Sequence, residues 1–118
     1  MCSILLVDDD VDFRQGLKFL LEKRNYRVLE AADGRAAMIL LQQNGINLVA
    51  TDLLMPEQEG IETIQAIRRA HPDLKVIAIS AAQPHILKVA KALGADEAIQ
   101  KSMRLDEIAS IVEKLLCA

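Results

Sequence analysis

Four places in the chain hold residues able to do chemistry on an anionic group. Asp8-Asp9-Asp10 follow one apolar run, Asp52 ends a second, Ser80 ends a third, and Lys101 follows the short stretch Glu97-Ala98-Ile99-Gln100. Taken singly, each has an ordinary reading. Acids before a helix act as an N-cap with extra charge at the positive end of the helix dipole. A lone Asp before a loop is a turn residue, Ser80 opens a turn or a helix, and Lys101 is a solvated surface charge. Taken together they differ. Asp8, Asp9 and Asp52 gathered at one edge repel one another, so some must be protonated or neutralised. A hard divalent cation with oxygen ligands does this economically. Magnesium fits best, because it usually takes one or two carboxylates plus waters and phosphate oxygens. Lys101 adds a fixed positive charge, and Ser80 a hydroxyl that donates to an oxyanion. A carboxylate nucleophile, a metal and a cation to spread charge, and a donor to sense the product are the equipment for phosphoryl transfer.

The elements between these residues explain how they would meet. Ile4-Leu5-Leu6-Val7 is a continuous apolar run, as expected of a strand buried on both faces. Asp10 caps a helix whose apolar positions Phe13, Leu17, Leu20 and Leu21 recur at helical spacing. Residues 26–29 form a short second strand. Asp33-Gly34 opens a helix carrying Met38, Leu40 and Leu41, and Asn44-Gly45 closes it. Leu48 to Thr51 is a third strand running into Asp52, followed by a loop with Pro56 and Gly60 and a helix marked by Ile61, Ile64 and Ile67. That helix stops before His71-Pro72, since the residue before proline avoids the helical region. Val76 to Ile79 is a fourth strand running into Ser80. Pro84 suits a first helical position, and Gly94 a stop. Residues 97–100 are a fifth strand, and Ile108, Ile111, Val112 and Leu115 mark the last helix.

Five strands alternating with five helices predict an α/β fold: a parallel sheet, right-handed crossovers and helices on both faces. In such sheets ligands bind beyond the carboxyl ends of the strands, where the strand order reverses. Asp8, Asp9, Asp10, Asp52, Ser80 and Lys101 all stand at such ends. The 118 residues suffice for one domain, 1–118, with no repeat, linker or low-complexity segment. The apolar share is 52% and the aromatics are only Phe13, Phe19 and Tyr26, so the core must be aliphatic. Acids outnumber bases 17 to 14, and no row of aromatics is present for stacking bases, so no nucleic-acid surface is expected. No apolar run reaches the ~20 residues of a membrane span, and with neither a basic region nor a long apolar stretch after Met1 no signal peptide is expected. Cys2 and Cys117 match no metal motif and are expected to be free thiols in a reducing cytoplasm.

These residues carry a resemblance over essentially the whole length. The chain resembles the receiver domains of response regulators in two-component signalling, the chemotaxis receiver among them. The matching motifs are Leu6-Val7-Asp8-Asp9-Asp10, Asp52-Leu53-Leu54-Met55-Pro56 with Gly60, Val76-Ile77-Ala78-Ile79-Ser80-Ala81, and Ala95-Asp96 leading to Lys101. The resemblance implies the flavodoxin-like strand order 2-1-3-4-5. It implies that Asp52 takes the phosphoryl group and that Asp9, Asp52 and the backbone carbonyl of Leu54 ligate Mg2+, with Asp8 acting through a metal-bound water. It implies that Lys101 pairs with Asp52, that Ser80 swings in to a phosphoryl oxygen, and that the small Ala81 leaves room for the donor. That donor is a histidine kinase or a histidine phosphotransfer protein. The partner downstream is an output domain or protein, and phosphorylation-linked dimerisation is a further expectation. The expected surface is the helix from Pro84 to Leu93, strand five and the last helix, with His85, Lys88 and Lys91 on one side. The expected protein is cytoplasmic, binds no membrane and is a switch rather than an enzyme, losing its own phosphoryl group only slowly.

The sequence departs from the family's pattern at Ala98, where an aromatic is usual, and at Ser102, where proline is usual, often after a cis peptide. Asn47 stands where an acid commonly opens strand three. Leu54 and Ala82, which flank the path of a hydrolytic water in the family, cannot orient one through their side chains. Three other readings fit parts of the pattern. An aspartate-based phosphatase of the haloacid-dehalogenase type shares Asp8-x-Asp10, but Asp12 falls where it needs threonine or valine. A calcium loop fails at Phe13 and Phe19, which stand where it needs glycine and glutamate. A receiver-fold interaction domain working without phosphorylation is opposed by the complete set Asp8, Asp9, Asp52, Ser80 and Lys101. The sequence runs to the end of the last helix, as expected of either a stand-alone protein or a receiver taken from a longer chain.

Overall fold

The structure is a computed structural model that describes residues 1–53, 59–81 and 84–117. Five strands alternate with five helices: β1 (Ser3–Val7), α1 (Val11–Lys23), β2 (Arg27–Ala31), α2 (Gly34–Gln43), β3 (Leu48–Asp52), α3 (Glu59–Ala70), β4 (Lys75–Ser80), α4 (Pro84–Ala92), β5 (Glu97–Gln100) and α5 (Leu105–Cys117). Every strand pairing is parallel, and the sheet order is β2-β1-β3-β4-β5, as the resemblance implied. The order reverses between β1 and β3. The strands finish nearly level there: Val7 lies beside Thr51, Asp52 beside Ile79, and Ser80 beside Gln100.

Successive side chains of a strand point to opposite faces, and here each face has its own aliphatic core. Leu5, Val7, Val49, Val76 and Ala78 pack with residues of α2, α3 and α4. Ile4, Leu6, Leu48, Ala50, Ile77, Ile79 and Ile99 pack with α1 and α5. Both faces of β1, β3 and β4 are therefore buried, which is why these strands read as unbroken apolar runs. The same alternation continued by one step aims Asp8, Asp52 and Lys101 toward the α1/α5 side, and Ser80 toward the α3/α4 side.

Local chemistry sets the element ends. The side chain of Asp10 accepts from Phe13 N, and that of Asp33 from Ala36 N at 2.8 Å, so both expected N-caps form. After α1 the chain turns through Asn25 at φ 69°, and Tyr26 N donates back to Leu21 O. The second strand accordingly begins at Arg27 and runs to Ala31, displaced from the expected 26–29. Asn44 closes α2 with an extended backbone, and its side-chain amide donates to Leu40 O at 3.0 Å. Asn44-Gly45 thus closes α2 where the sequence places the stop, and the closure is a side-chain cap. Asn47, to which the sequence attached no consequence, binds the two central strands at their start: Ser3 N donates to its Oδ1 at 2.7 Å, and its own N–H donates to Ser3 O.

The end of α4 depends on Gly94 and Arg68. Gly94 sits at φ 125°, a conformation that side chains rarely adopt. The Arg68 guanidinium donates to the carbonyls of Gly94, Pro72 and Leu74 and to the Asp96 carboxylate, which also accepts from Val76 N. One side chain therefore joins α3, the turn after it and the turn into β5. A Cβ at position 94 would also meet Arg68 Cγ at 3.2 Å. Gly94→Ala is expected to cost about 1–3 kcal/mol, read as a lower midpoint in urea unfolding with an unchanged slope.

Candidate functional site

The site is assembled at the reversal point from the ends of β1, β3 and β5. Asp8 directly follows β1, Asp52 is the last residue of β3, and Lys101 follows β5, where its N–H donates to Ser80 O at 2.8 Å. One carboxylate oxygen each from Asp8, Asp9 and Asp52 lie within 4.8 Å of one another. Asp8 and Asp52 are each 3% exposed, whereas Asp9 is exposed. The sequence expectation that Asp8, Asp9, Asp52 and Lys101 converge is met.

Lys101 makes more contacts than the expected pairing with Asp52. Its Nζ lies 3.0 Å from Asp8 Oδ2, 3.4 Å from Asp52 Oδ2 and 3.7 Å from Asp10 Oδ2. Below it is the ring of Phe13, with its centroid 4.8 Å away. An ammonium over an aromatic face is held by the ring's quadrupole. Three carboxylates and one ring thus fix a single ammonium, and the closest partner is Asp8.

The charges shift one another. Burial pushes the Asp8 carboxyl above its ordinary value, and the neighbouring Asp52 charge adds to this. The hydrogen bonds from Asp10 N and Lys101 oppose the rise without cancelling it. Burial pulls the Lys101 ammonium down, but its hydrogen bond to Asp8 and the charge of Asp52 outweigh that, and the net shift is upward. The exposed Asp10 carboxyl is held low, chiefly by the hydrogen bond from Phe13 N. Among the described residues, buried Asp8 Oδ2 accepts no hydrogen bond, its contact with Lys101 lacking the alignment for one. A buried carboxylate oxygen without a donor, beside two further carboxylates, suits a hard cation with oxygen ligands. Asp8, Asp9 and Asp52 therefore fit Mg2+.

Ser80 is fully buried at the end of β4 and, by strand alternation, faces away from Lys101. Ala81 is exposed. Leu54, expected to ligate through its carbonyl, and Ala82 lie outside the described residues. The expected surface residues His85, Lys88 and Lys91 are all exposed on α4. No cis peptide occurs among the described residues, so the Lys101–Ser102 bond is trans. Sequence reasoning missed Phe13 as the floor beneath Lys101, and it missed Arg14 and Glu30. Arg14 Nη1 donates to the Asp8 carbonyl, and its Nε donates to Glu30 Oε1 at 2.8 Å. The signal available was an unusual one: one of only three aromatics and an arginine, adjacent, one turn after the acids.

Residues 4–113 match the response regulator receiver domain. The chain belongs to this family. The receiver is 36% identical over 117 residues to the transcriptional regulatory protein CpxR of Escherichia coli, covering 98% of this chain and 50% of that one. It thus spans about half the length of that relative. It is 34% identical to the response regulator receiver protein CpdR of Brucella abortus, over 100% of this chain and 99% of the other. A solved structure of the response regulator TrrA of Thermotoga maritima, in complex with Mg2+ and BeF, superposes with a TM-score of 0.86 at 32% identity and covers 98% of this chain and 99% of that one. The fold is that of chemotaxis-type receivers, and phosphorylation and Mg2+ are typical of the family.

Burial of the Asp8 carboxyl, with the Asp52 charge beside it, bears on stability. Asp8 binds its proton more tightly in the folded than in the unfolded chain, so stability contributed by this group falls as pH rises from its ordinary value of 3.8 through its raised folded value. Above that window the penalty is fully present. Asp52→Asn removes a charge that raises it and is expected to stabilise the metal-free protein by about 1 kcal/mol at neutral pH. Urea unfolding without divalent cations, from pH 4 to 8, would show a higher midpoint and a shallower decline in the variant.

Proposed function

We propose that this receiver is a phosphorylation-dependent switch that takes a phosphoryl group on Asp52 from a phosphohistidine. The observation that carries the reading is the Lys101 ammonium lying 3.0 Å from Asp8 and 3.4 Å from Asp52, beside three carboxylates that cluster within 4.8 Å. An oxygen of the Asp52 carboxylate attacks phosphorus, the P–O bond forms, and the P–N bond breaks with its electron pair passing to the imidazole nitrogen, which solvent protonates. Asp9 and Asp52 would hold Mg2+ with Asp8 in support, and Leu54, the further ligand the resemblance implies, lies outside the described residues. Bound there, the ion would offset carboxylate repulsion and neutralise charge on the phosphoryl oxygens. Lys101 stabilises the same charge from the protein side. The TrrA complex with Mg2+ and BeF supports the ligand class.

Ser80 donates to a phosphoryl oxygen by moving toward Asp52 across the sheet edge, and that movement is passed to α4, β5 and α5. His85, Lys88 and the 44%-exposed Val89 give that surface its outer chemistry. The donor is a histidine kinase or a histidine phosphotransfer protein, and the readout is an output domain or protein or a phosphorylation-linked dimer. No helix among the described residues is long and apolar enough to cross a membrane, and we place this switch in the cytoplasm. It carries out no turnover beyond slow loss of its own phosphoryl group.

Acetyl phosphate with Mg2+ is expected to add about 80 Da to the protein, mapped to Asp52 and absent from Asp52→Asn. No gain in the wild type would favour the interaction-domain reading, and steady release of phosphate from a generic phosphomonoester would favour a phosphatase. A positioned proton acceptor is worth about 10²–10⁴-fold in rate, and neither Leu54 nor Ala82 supplies one. The phosphoprotein is therefore expected to decay slowly, and Leu54→Asn with Ala82→Glu to shorten its lifetime. Equal lifetimes would show that these positions do not control the water.

A further inference from the structure

The turn that carries Asp9 is secured from outside the site. Asp9 is exposed, and its position depends on the backbone between Asp8 and Asp10. The ends of that backbone are held by backbone bonds from Asp8 N to Ala31 O and from Arg14 N to Asp10 O, and two side-chain bonds act on it as well: Asp10 N donates to Asp8 Oδ1 at 2.8 Å, and Arg14 Nη1 donates to the Asp8 carbonyl. Arg14 is itself held, because its Nε donates to Glu30 Oε1 at 2.8 Å. Glu30, in β2, also accepts from Gln15 Nε2 at 2.8 Å and Lys18 Nζ at 3.1 Å. The side chains of Arg14 and Glu30 are only 14% and 20% exposed, so the pair is largely shielded from water. Burial would raise the Glu30 carboxyl, yet the hydrogen bonds from Arg14 and Lys18 bring it below its ordinary value.

This placement is informative because an arginine so near a cluster of carboxylates would be expected to pair with them. Instead Glu30 draws the guanidinium to β2, and the site carboxylates keep Lys101. The planar fork of arginine can donate to two acceptors at once, which an ammonium cannot do with the same geometry. We propose that Arg14, anchored on Glu30, is a positioning residue for metal binding: it fixes the Asp8 carbonyl, and through it the peptide that presents Asp9. Residues that orient metal ligands from behind typically change affinity 10–100-fold when removed. The inference rests on the receiver reading, because it takes Asp9 and Asp52 as the ligands of Mg2+.

Charge and geometry make opposite predictions here. If Arg14 acted only as a nearby positive charge, Arg14→Gln would tighten Mg2+ binding by making the site more negative. As a positioning residue, its loss weakens binding by about tenfold. Magnesium chloride titrated into wild type, Arg14→Gln, Arg14→Lys and Glu30→Gln by calorimetry separates these outcomes. Arg14→Lys is expected to recover little, and Glu30→Gln to weaken binding in the same direction by less. Unchanged or tighter binding in Arg14→Gln, or full recovery in Arg14→Lys, would overturn the proposal. A second readout needs no metal. In metal-free protein the Asp10 amide is expected to exchange with solvent at least about threefold faster in Arg14→Gln, while the amide of Val49 in the central strand is unchanged. Equal Asp10 exchange would also overturn the proposal. If Arg14→Gln does not fold, Glu30→Gln carries both measurements. A wild type that takes no Mg2+ counts against the receiver reading, and the Asp10 amide still decides the positioning.

Discussion

Everything at the reversal point of this sheet depends on one ammonium among several carboxylates. Lys101 contacts Asp8, Asp52 and Asp10, and the Phe13 ring lies beneath it. A single positive charge cannot neutralise three carboxylates, and burial, with the neighbouring Asp52 charge adding to it, holds the Asp8 carboxyl above its ordinary value. Buried charges left partly unpaired cost stability that the surrounding fold must supply. The fold supplies it through two aliphatic cores, one on each face of the sheet. The crowded edge is thus attached to a body with few polar groups of its own, and its deficit of positive charge suits a bound cation.

The parallel sheet explains why such a cluster arises from residues so far apart in sequence. In a parallel sheet every strand runs the same way, so carboxyl ends collect at one edge. Register then decides which ends are level. Val7 beside Thr51 and Asp52 beside Ile79 bring Asp8 and Asp52 together, and the bond from Lys101 N to Ser80 O brings β5 to the same height. Alternation does the rest, giving Asp8, Asp52 and Lys101 the parity of the α1/α5 core. A shift of one residue in any of these strands would turn its charged end to the opposite face. Asn47, which binds Ser3 at the far end of the central pair, helps to hold that register.

Much of this was legible in the sequence because it is local. Ile4 to Val7 and Val76 to Ile79 are apolar throughout because both of their faces are covered. Asp10 and Asp33 are caps whose partners lie three residues on. Gly94 marks a backbone conformation that favours glycine. Boundaries failed where exposure blurs the pattern: β2 is an edge strand, only Ala31 of it is buried, and its start depends on the turn through Asn25. The contacts that escaped are long in sequence and lack a periodic signal. Arg14 to Glu30 spans 16 residues, Arg68 to Asp96 spans 28, and Ser3 to Asn47 spans 44. Each partner alone is an ordinary polar residue, and only the three-dimensional arrangement shows that one side chain organises several backbone groups.

The same alternation that gathers the charges sets Ser80 apart from them. Ser80 ends β4 with the parity of Val76 and Ala78, on the face covered by α3 and α4, and it is fully buried there. Lys101 approaches the edge from the other face, although its N–H is bonded to the Ser80 carbonyl. A new oxyanion on Asp52 would already have a cation on the α1/α5 side. The donor from the α3/α4 side in the proposed switch is Ser80, which moves at the end of β4. In the proposed switch this asymmetry gives the signal its direction. Charge compensation on one face is pre-formed and need not move, whereas the hydroxyl on the other face must be drawn out of the core. In that proposal the displacement travels into α4 and β5 rather than into α1, where Arg14 donates to Glu30 and to the Asp8 carbonyl.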